Sequence, residues 1–166
     1  MLVSELVILP EHFNHHNTSK EKEYLYRIIN RPIYDPFEYG RAWFLSRLVS
    51  DRGLELMREA AAYFIGRYDF STFMSEGSDV EDTVRCVTAL SVERAGDLIE
   101  IRISADGFLY NMVRIIAGTL LKVGGGHILP EEIENIIAGK DRALAGPTAP
   151  AKGLTLVEIR YPNYEK

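Results

Sequence analysis

The chain of 166 residues contains a single cysteine, Cys86, so an internal disulfide is excluded and a reducing compartment suits it. No apolar run reaches the length needed to span a membrane, and the first ten residues, MLVSELVILP, hold no basic leader. We therefore expect a cytoplasmic protein with no membrane partner. The hydrophobic content of 46% is that of an ordinary globular domain.

An excess of positive charge is also missing. The formal net charge is −5, which by composition argues against nucleic-acid binding. Total charge is a blunt criterion, because binding depends on a local basic face. Two local concentrations of basic residues exist: Lys20, Lys22, Arg27 and Arg31, and then Lys140, Arg142 and Lys152.

Residues 106–127, DGFLYNMVRIIAGTLLKVGGGH, are predicted to contain the central helix, ended by three consecutive glycines. The apolar residues at helical spacing are Leu109, Met112, Val113, Ile116, Leu120 and Val123. Arg114 lies within this run, yet no Asp or Glu occurs from Gly107 to Pro130. The guanidinium therefore needs an anion from elsewhere in the fold, from a ligand or from a second segment, unless it extends over its stem to solvent.

The remaining elements follow from hydrophobic pattern and turn residues. We predict strands at 2–9, 23–29 and 154–161, a hairpin of 83–93 with 98–104, and helices at 54–65 and from Pro130 to Gly139. Residues 68–73 are expected to form an aromatic turn, 74–82 a mobile loop, and 146–153 a loop rich in Pro and Gly. This order predicts an α+β fold, an antiparallel sheet with helices packed on one face. We expect one domain over residues 1–166, with about 1–22 as an irregular lead-in and connection.

A metal site is the alternative interpretation of three histidines close in sequence, His12, His15 and His16. Adjacent histidines point in different directions on a regular backbone, and no Cys or carboxylate pattern completes a ligand set. We favour solvated loop histidines and predict no metal.

Two stretches resemble motifs of the TruA-type tRNA pseudouridine synthases. GFLYNMVRIIAGTLLKVG resembles the arginine motif of that family, and Asp141-Arg142 followed by AGPTAPAKGL, residues 145–154, resembles its downstream signature. The resemblance implies a pseudouridine synthase-like C-terminal domain, one of two related α/β halves that share a sheet across a cleft. It also implies isomerisation of uridine to pseudouridine in the anticodon arm of tRNA, by a homodimer without a cofactor.

The resemblance carries specific residues to the site. Tyr24, in KEKEYLYRI, matches the family tyrosine that lies against the flipped base, and Arg114 matches the arginine that pairs with the catalytic aspartate. That aspartate belongs to an R-T-D-x-G-V-H-A-like motif, and no such string occurs here. We therefore expect it on an N-terminal half that the chain does not contain. Asp51 is interpreted as part of a helix start, and Asp106 as a turn residue with a replacement role as the alternative.

The residues that we predict to contact RNA are Lys20, Lys22, Arg85 and Lys152. Arg85 is equally typical of an ordinary strand surface, and Lys152 of a rigid crossover loop. His16 stands where the family has an arginine that helps to hold RNA, which weakens the expected grip on substrate. The alternative function is a non-catalytic RNA-binding or dimerisation module descended from the family, and after it a protein-interaction module with no RNA role.

Overall fold

A computed structural model of the chain describes residues 21–33 and 40–161. Within these ranges there are six strands and three α-helices. In chain order they are β1 (Glu21–Asn30), β2 (Trp43–Leu45), α1 (Asp51–Tyr63), β3 (Gly66–Asp69), β4 (Val84–Ala95), β5 (Leu98–Ala105), α2 (Met112–Gly124), α3 (Glu132–Gly139) and β6 (Leu154–Arg160). Short 3-10 turns lie at Ser71–Phe73, Arg142–Leu144 and Ala151–Gly153. No helix in the described ranges has both the length and the apolar character needed to cross a lipid bilayer.

All six strands form one sheet in the order β2-β1-β5-β4-β3, and β6 pairs with β1 as well. Strand β5 pairs with nearly the whole of one edge of β1. On the other edge of β1, β6 pairs with the first part of the strand and β2 with the last part. These pairings are antiparallel except that of β1 with β2, which runs parallel from Ile28 opposite Trp43 to Asn30 opposite Leu45. The predicted α+β fold is confirmed. The short parallel pair was not predicted, because three residues are too few to show a pattern.

The helices cover one face of this sheet, as predicted. Tyr26 on β1 lies opposite Ile101 on β5, and both side chains are fully buried in the core that includes Ile115 and Ile116 of α2. The predicted alternation of β1, with Tyr24, Tyr26 and Ile28 on one face, is therefore confirmed.

The opposite face of the sheet carries charges that neutralise one another. Arg27 lies 3.2 Å from Glu100 across the β1–β5 pair, and Arg102 lies 2.9 Å from Glu23. The nearby Arg31 guanidinium is 3.8 Å from Asp97. Arg27 and Arg31, half of the first basic concentration in the sequence, are thus matched by acids.

Helix α1 begins earlier than its apolar stripe suggests. The Ser50 hydroxyl accepts a hydrogen bond of 3.0 Å from the Gly53 amide, a standard N-cap, so the helix starts at Asp51. The interpretation of this segment as a helix start is confirmed. Ile65, predicted to be buried on that stripe, is 43% exposed. It lies beyond Tyr63, where the helix ends, and so leaves the helical face.

Several predicted features lie outside the described residues. These are the strand at 2–9, Lys20, and the segment 11–19 with its three histidines. Within the described chain, Leu109 is buried as predicted, but it precedes α2, which begins at Met112.

A close crossing joins helix α2 to the loop that precedes β6. A Cβ atom added to Gly118 would lie 1.9 Å from the Pro147 carbonyl oxygen. One residue further on, the Thr119 hydroxyl accepts a hydrogen bond of 2.8 Å from the Gly146 amide. The loop therefore rests directly on the helix backbone, which only a glycine at 118 permits.

Gly118→Ala should destabilise the chain. Overpacking against a backbone carbonyl costs about 3 kcal/mol, and the better helix propensity of alanine returns about 1 kcal/mol. We expect thermal unfolding to move down by about 4–8 °C for a chain of this size. Gly107→Ala is the matched control, because its added Cβ would meet only the flexible Arg85 side chain, at 3.4 Å. Equal melting temperatures for the two variants would contradict the crossing.

Asp69 ties the end of β3 to the end of α3. Its carboxylate is 2.8 Å from the Lys140 ammonium and accepts hydrogen bonds from the Thr83 hydroxyl, at 2.6 Å, and the Ser71 amide, at 3.0 Å. The hydrogen bond from Lys140, followed by that from Thr83, holds the pKa of Asp69 well below its usual range.

This lowered pKa makes part of the stability depend on pH. An acid whose pKa is lower in the folded state stabilises the fold above its unfolded pKa of about 4, and the contribution is lost as pH falls further. Asp69→Asn should therefore be less stable than the parent chain at pH 7, and the difference should shrink below about pH 4. Urea unfolding across this pH range measures it. Glu55→Gln, which removes an exposed helix-surface pair with Arg52, should change little at any pH.

Candidate active site

Arg114 lies in the first turn of α2, half-buried, and two neutral groups hold its guanidinium. Its Nε donates a hydrogen bond of 2.6 Å to the Ala149 carbonyl, and its Nη1 donates one of 2.7 Å to the Asn111 side-chain oxygen. Across residues 21–33 and 40–161, no Asp or Glu forms an ion pair with it. The orientation of the side chain is thus set while its positive charge stays available for an outside anion.

The two sequence motifs meet at this arginine. The Ala149 amide donates a hydrogen bond of 3.1 Å to the Arg114 carbonyl, so these residues are joined in both directions. The next residue of the loop, Pro150, accepts a hydrogen bond of 2.6 Å from the Tyr26 hydroxyl. The loop thereby links strand β1 to the start of helix α2.

Tyr26 is fully buried beneath that loop. Burial raises its pKa well above the usual range, because it disfavours the charged phenolate, and the positive charge of Arg114 opposes this effect only partly. The hydroxyl therefore stays protonated and serves as a hydrogen-bond donor.

Tyr24 lies two residues away on the same face of β1. Its ring meets Phe108 edge to face, with centroids 5.1 Å apart, and the residue is half-buried. Its neighbour on β6, Leu156, is 45% exposed. A fixed and partly accessible aromatic ring therefore stands on the same side of the sheet as Arg114.

Neither acidic candidate in the chain serves Arg114. Asp106 accepts a hydrogen bond of 2.9 Å from the Cys86 amide and lies 3.7 Å from Arg67, so its carboxylate is bound to β4 and β3. Asp51, fully exposed at the start of α1, lies 3.5 Å from Arg94. The replacement role considered for Asp106 stays an alternative, and in this fold its backbone amide and its side chain are both hydrogen-bonded to Cys86.

The predicted RNA-contacting residues are spread over different elements. Lys22 is half-buried on β1, and Lys152 is exposed in the 3-10 turn that follows Pro150. Arg85 donates from Nη1 to the carbonyls of Asp82, at 2.9 Å, and Val84, at 2.6 Å. Their roles stay predictions, and Lys20 lies outside the described residues.

Two cations of the second basic concentration have structural partners. Lys140 pairs with Asp69, and Arg142 donates to the Gly146 carbonyl, at 2.9 Å, and the Thr148 hydroxyl, at 3.2 Å. Lys152 is the member of this group that has no hydrogen bond or ion pair within the described residues. Within the described part of the chain, no three His, Cys, Asp or Glu side chains are grouped closely enough to hold a metal ion.

Sequence reasoning missed the residues that support Arg114. The i, i+3 spacing of Asn111 and Arg114 on a helix start was a usable signal, since side chains three apart meet. The Ala149 carbonyl carried no signal, because a backbone acceptor has no residue type.

Comparison with known proteins identifies the family of this chain. The family model described as tRNA pseudouridine synthase matches residues 60–162, a span that contains Arg114 and the loop at 145–150. The chain belongs to the tRNA pseudouridine synthase family. The predicted resemblance is thereby confirmed.

Several curated members of the tRNA pseudouridine synthase family are similar over most of this chain. The tRNA pseudouridine synthase A 2 of Clostridium tetani is 41% identical, over 84% of this chain and 55% of its own length. The tRNA pseudouridine synthase A of Brevibacillus brevis is 48% identical, over 84% of this chain and 56% of its own. That of Allorhizobium ampelinum is 39% identical, over 98% of this chain and 61% of its own. The chain thus spans little more than half the length of these relatives.

Tyr26→Phe should weaken the attachment of the loop. The change leaves the Pro150 carbonyl without its donor, and losing one partner of a largely buried hydrogen bond costs about 1–2 kcal/mol. Chemical denaturation measures the change in free energy of unfolding. Tyr63→Phe is the matched control, because the Tyr63 hydroxyl makes no hydrogen bond within the described residues. A loss of unfolding free energy no greater than that of Tyr63→Phe would count against the hydrogen bond between Tyr26 and Pro150.

Proposed function

We propose that this chain is the C-terminal part of a TruA-type tRNA pseudouridine synthase, which isomerises uridine to pseudouridine in the anticodon arm of tRNA. The observation that carries the proposal is Arg114, held by two neutral acceptors. A structural arginine in a packed helix is normally paired with an acid, because an unpaired charge is costly to bury. An arginine that is oriented but uncompensated suits a site that receives a carboxylate.

The reaction needs groups that the chain supplies only in part. The N-glycosidic bond breaks, the base turns, and a new bond joins C5 of the base to C1′ of the ribose. The C5 hydrogen leaves as a proton and N1 takes one up, so the reaction is redox-neutral and requires no cofactor. The target nucleotide must leave its stack and be held by stacking and electrostatic contacts. In this proposal Tyr24 lies against the flipped base, and Arg114 pairs with the catalytic aspartate.

We propose that this aspartate comes from a segment outside the printed sequence. The sequence contains no R-T-D-x-G-V-H-A-like string, and the chain spans only 55–61% of the length of the relatives above. Neither Asp51 nor Asp106 pairs with Arg114: Asp51 lies 3.5 Å from Arg94, and Asp106 accepts a hydrogen bond from the Cys86 amide.

The remaining features of the proposal concern partners and location. We propose that Lys20, Lys22, Arg85 and Lys152 contact the tRNA backbone, since basic side chains and phosphate dominate such interfaces. We also propose that the protein acts as a homodimer in the cytoplasm.

Tritium release from tRNA labelled at C5 of uridine tests the function. We expect no release by the chain alone, and release after addition of the N-terminal part of the Brevibacillus brevis relative, on which we expect the aspartate to lie. Arg114→Gln should lower this release by about 100-fold, since it removes a charge that acts in the transition state. Arg102→Gln, on the opposite face of the sheet, should not.

Two outcomes would contradict the proposal. Release by the chain alone would mean that it carries its own carboxylate. No release after complementation, with tRNA binding retained, would favour the non-catalytic RNA-binding module.

A further inference from the structure

Asn111, directly before α2, has an unusual backbone conformation. Its φ of 62° lies in the left-handed region, which few residues other than glycine adopt. Asparagine is a favoured N-cap residue, yet here its side chain makes no capping hydrogen bond. The residue therefore accepts a rare backbone conformation and leaves the helix start uncapped. Strain kept in this way is typical of functional sites.

The side chain of Asn111 is instead used to hold Arg114. Its oxygen accepts the hydrogen bond of 2.7 Å from Nη1, and its nitrogen donates one of 3.0 Å to the Ser75 hydroxyl. A guanidinium only donates, so the amide oxygen must face Arg114 and the amide nitrogen must face Ser75. The Ser75 amide in turn donates to the Tyr110 carbonyl at 3.1 Å, which anchors the serine at the helix start.

The neutrality of Asn111 also matters. An aspartate at 111 could make the same contact with Nη1, but it would form an internal ion pair and compete with any outside carboxylate. An amide orients the guanidinium without cancelling its charge.

We propose that Asn111, fixed by Ser75, is a positioning residue that orients Arg114 toward the catalytic carboxylate. That the partner of Arg114 is a catalytic carboxylate rests on the proposed function. That Asn111 and Ser75 orient Arg114 does not.

The first test measures the order of Arg114 directly in the chain. Rotation about its Nε–Cζ bond is followed by ¹⁵N NMR of the guanidinium nitrogens, and thermal unfolding is measured on the same samples. Asn111→Gly keeps a residue suited to positive φ but removes the amide. Relief of the positive φ and loss of two hydrogen bonds have opposite effects on the melting temperature, so rotation is the measurement that discriminates. We expect rotation at least about tenfold faster, whereas a merely structural role would lower the melting temperature and leave Arg114 ordered. Ser75→Ala should give a smaller increase, and Ser91→Ala, an exposed serine on β4, none.

The second test measures kcat and KM of tritium release by the complemented enzyme. Asn111→Gly should lower kcat by about 10- to 100-fold with little change in KM, because misorientation of a catalytic group affects the chemical step. Asn111→Asp should also lower kcat, yet with slowed rotation of Arg114, since the new ion pair holds the guanidinium and neutralises it.

The two tests separate the inference from the function on which it draws. Unchanged rotation of Arg114 in Asn111→Gly would overturn the inference, whatever the activity. Faster rotation of Arg114 in Asn111→Gly would support the positioning role even if the parent chain released no tritium, alone or complemented. That absence of release would reject the proposed reaction.

Discussion

The contact between the loop at 145–150 and the backbone of helix α2 determines the geometry of the candidate site. Gly118 lets the Pro147 carbonyl approach to a distance that any side chain would prevent. Once the loop lies there, the Ala149 carbonyl reaches Arg114 and the Pro150 carbonyl reaches Tyr26. A displacement of the loop would therefore disturb both strand β1 and Arg114. The contact between Gly118 and Pro147 thus helps to position the guanidinium, although it does not touch it.

Charge is distributed differently on the two sides of the sheet. On the face away from the helices, arginines and glutamates pair across β1 and β5, so that their fields largely cancel. Beneath the loop, Arg114 is held by a backbone carbonyl and an amide side chain, neither of which carries a charge. A protein with a net charge of −5 can thus present a localised positive site, and its overall charge says little about what that site binds.

Much of the fold could be predicted where the signal is periodic. The alternation of β1, the hairpin of β4 with β5 and the apolar stripe of α2 all report directly which side is buried. Predictions failed where an element was short or ended early. Strand β2 has only three residues, and Ile65 fits the helical period but lies past the end of α1. The period continues in the sequence after the helix has stopped, and only the hydrogen-bonded backbone reveals the end.

For the site, the absence of any acid from Gly107 to Pro130 was sufficient to show that Arg114 has no partner within its own helix, because such pairs lie three or four residues apart. The roles of Tyr24 and of the motif loop are predicted by resemblance. Asn111 could have been found from its i, i+3 spacing, whereas the contacts of the loop with Arg114 and Tyr26 exist only in the folded chain. Ala149 lies 35 residues from Arg114, by difference of their numbers, and contacts it through a backbone oxygen. Tyr26 lies 88 residues from Arg114 and holds the same loop through the hydrogen bond from its buried hydroxyl to Pro150. Contacts between distant segments, made largely by backbone atoms, leave no pattern in a sequence and exist only once the loop has crossed the helix.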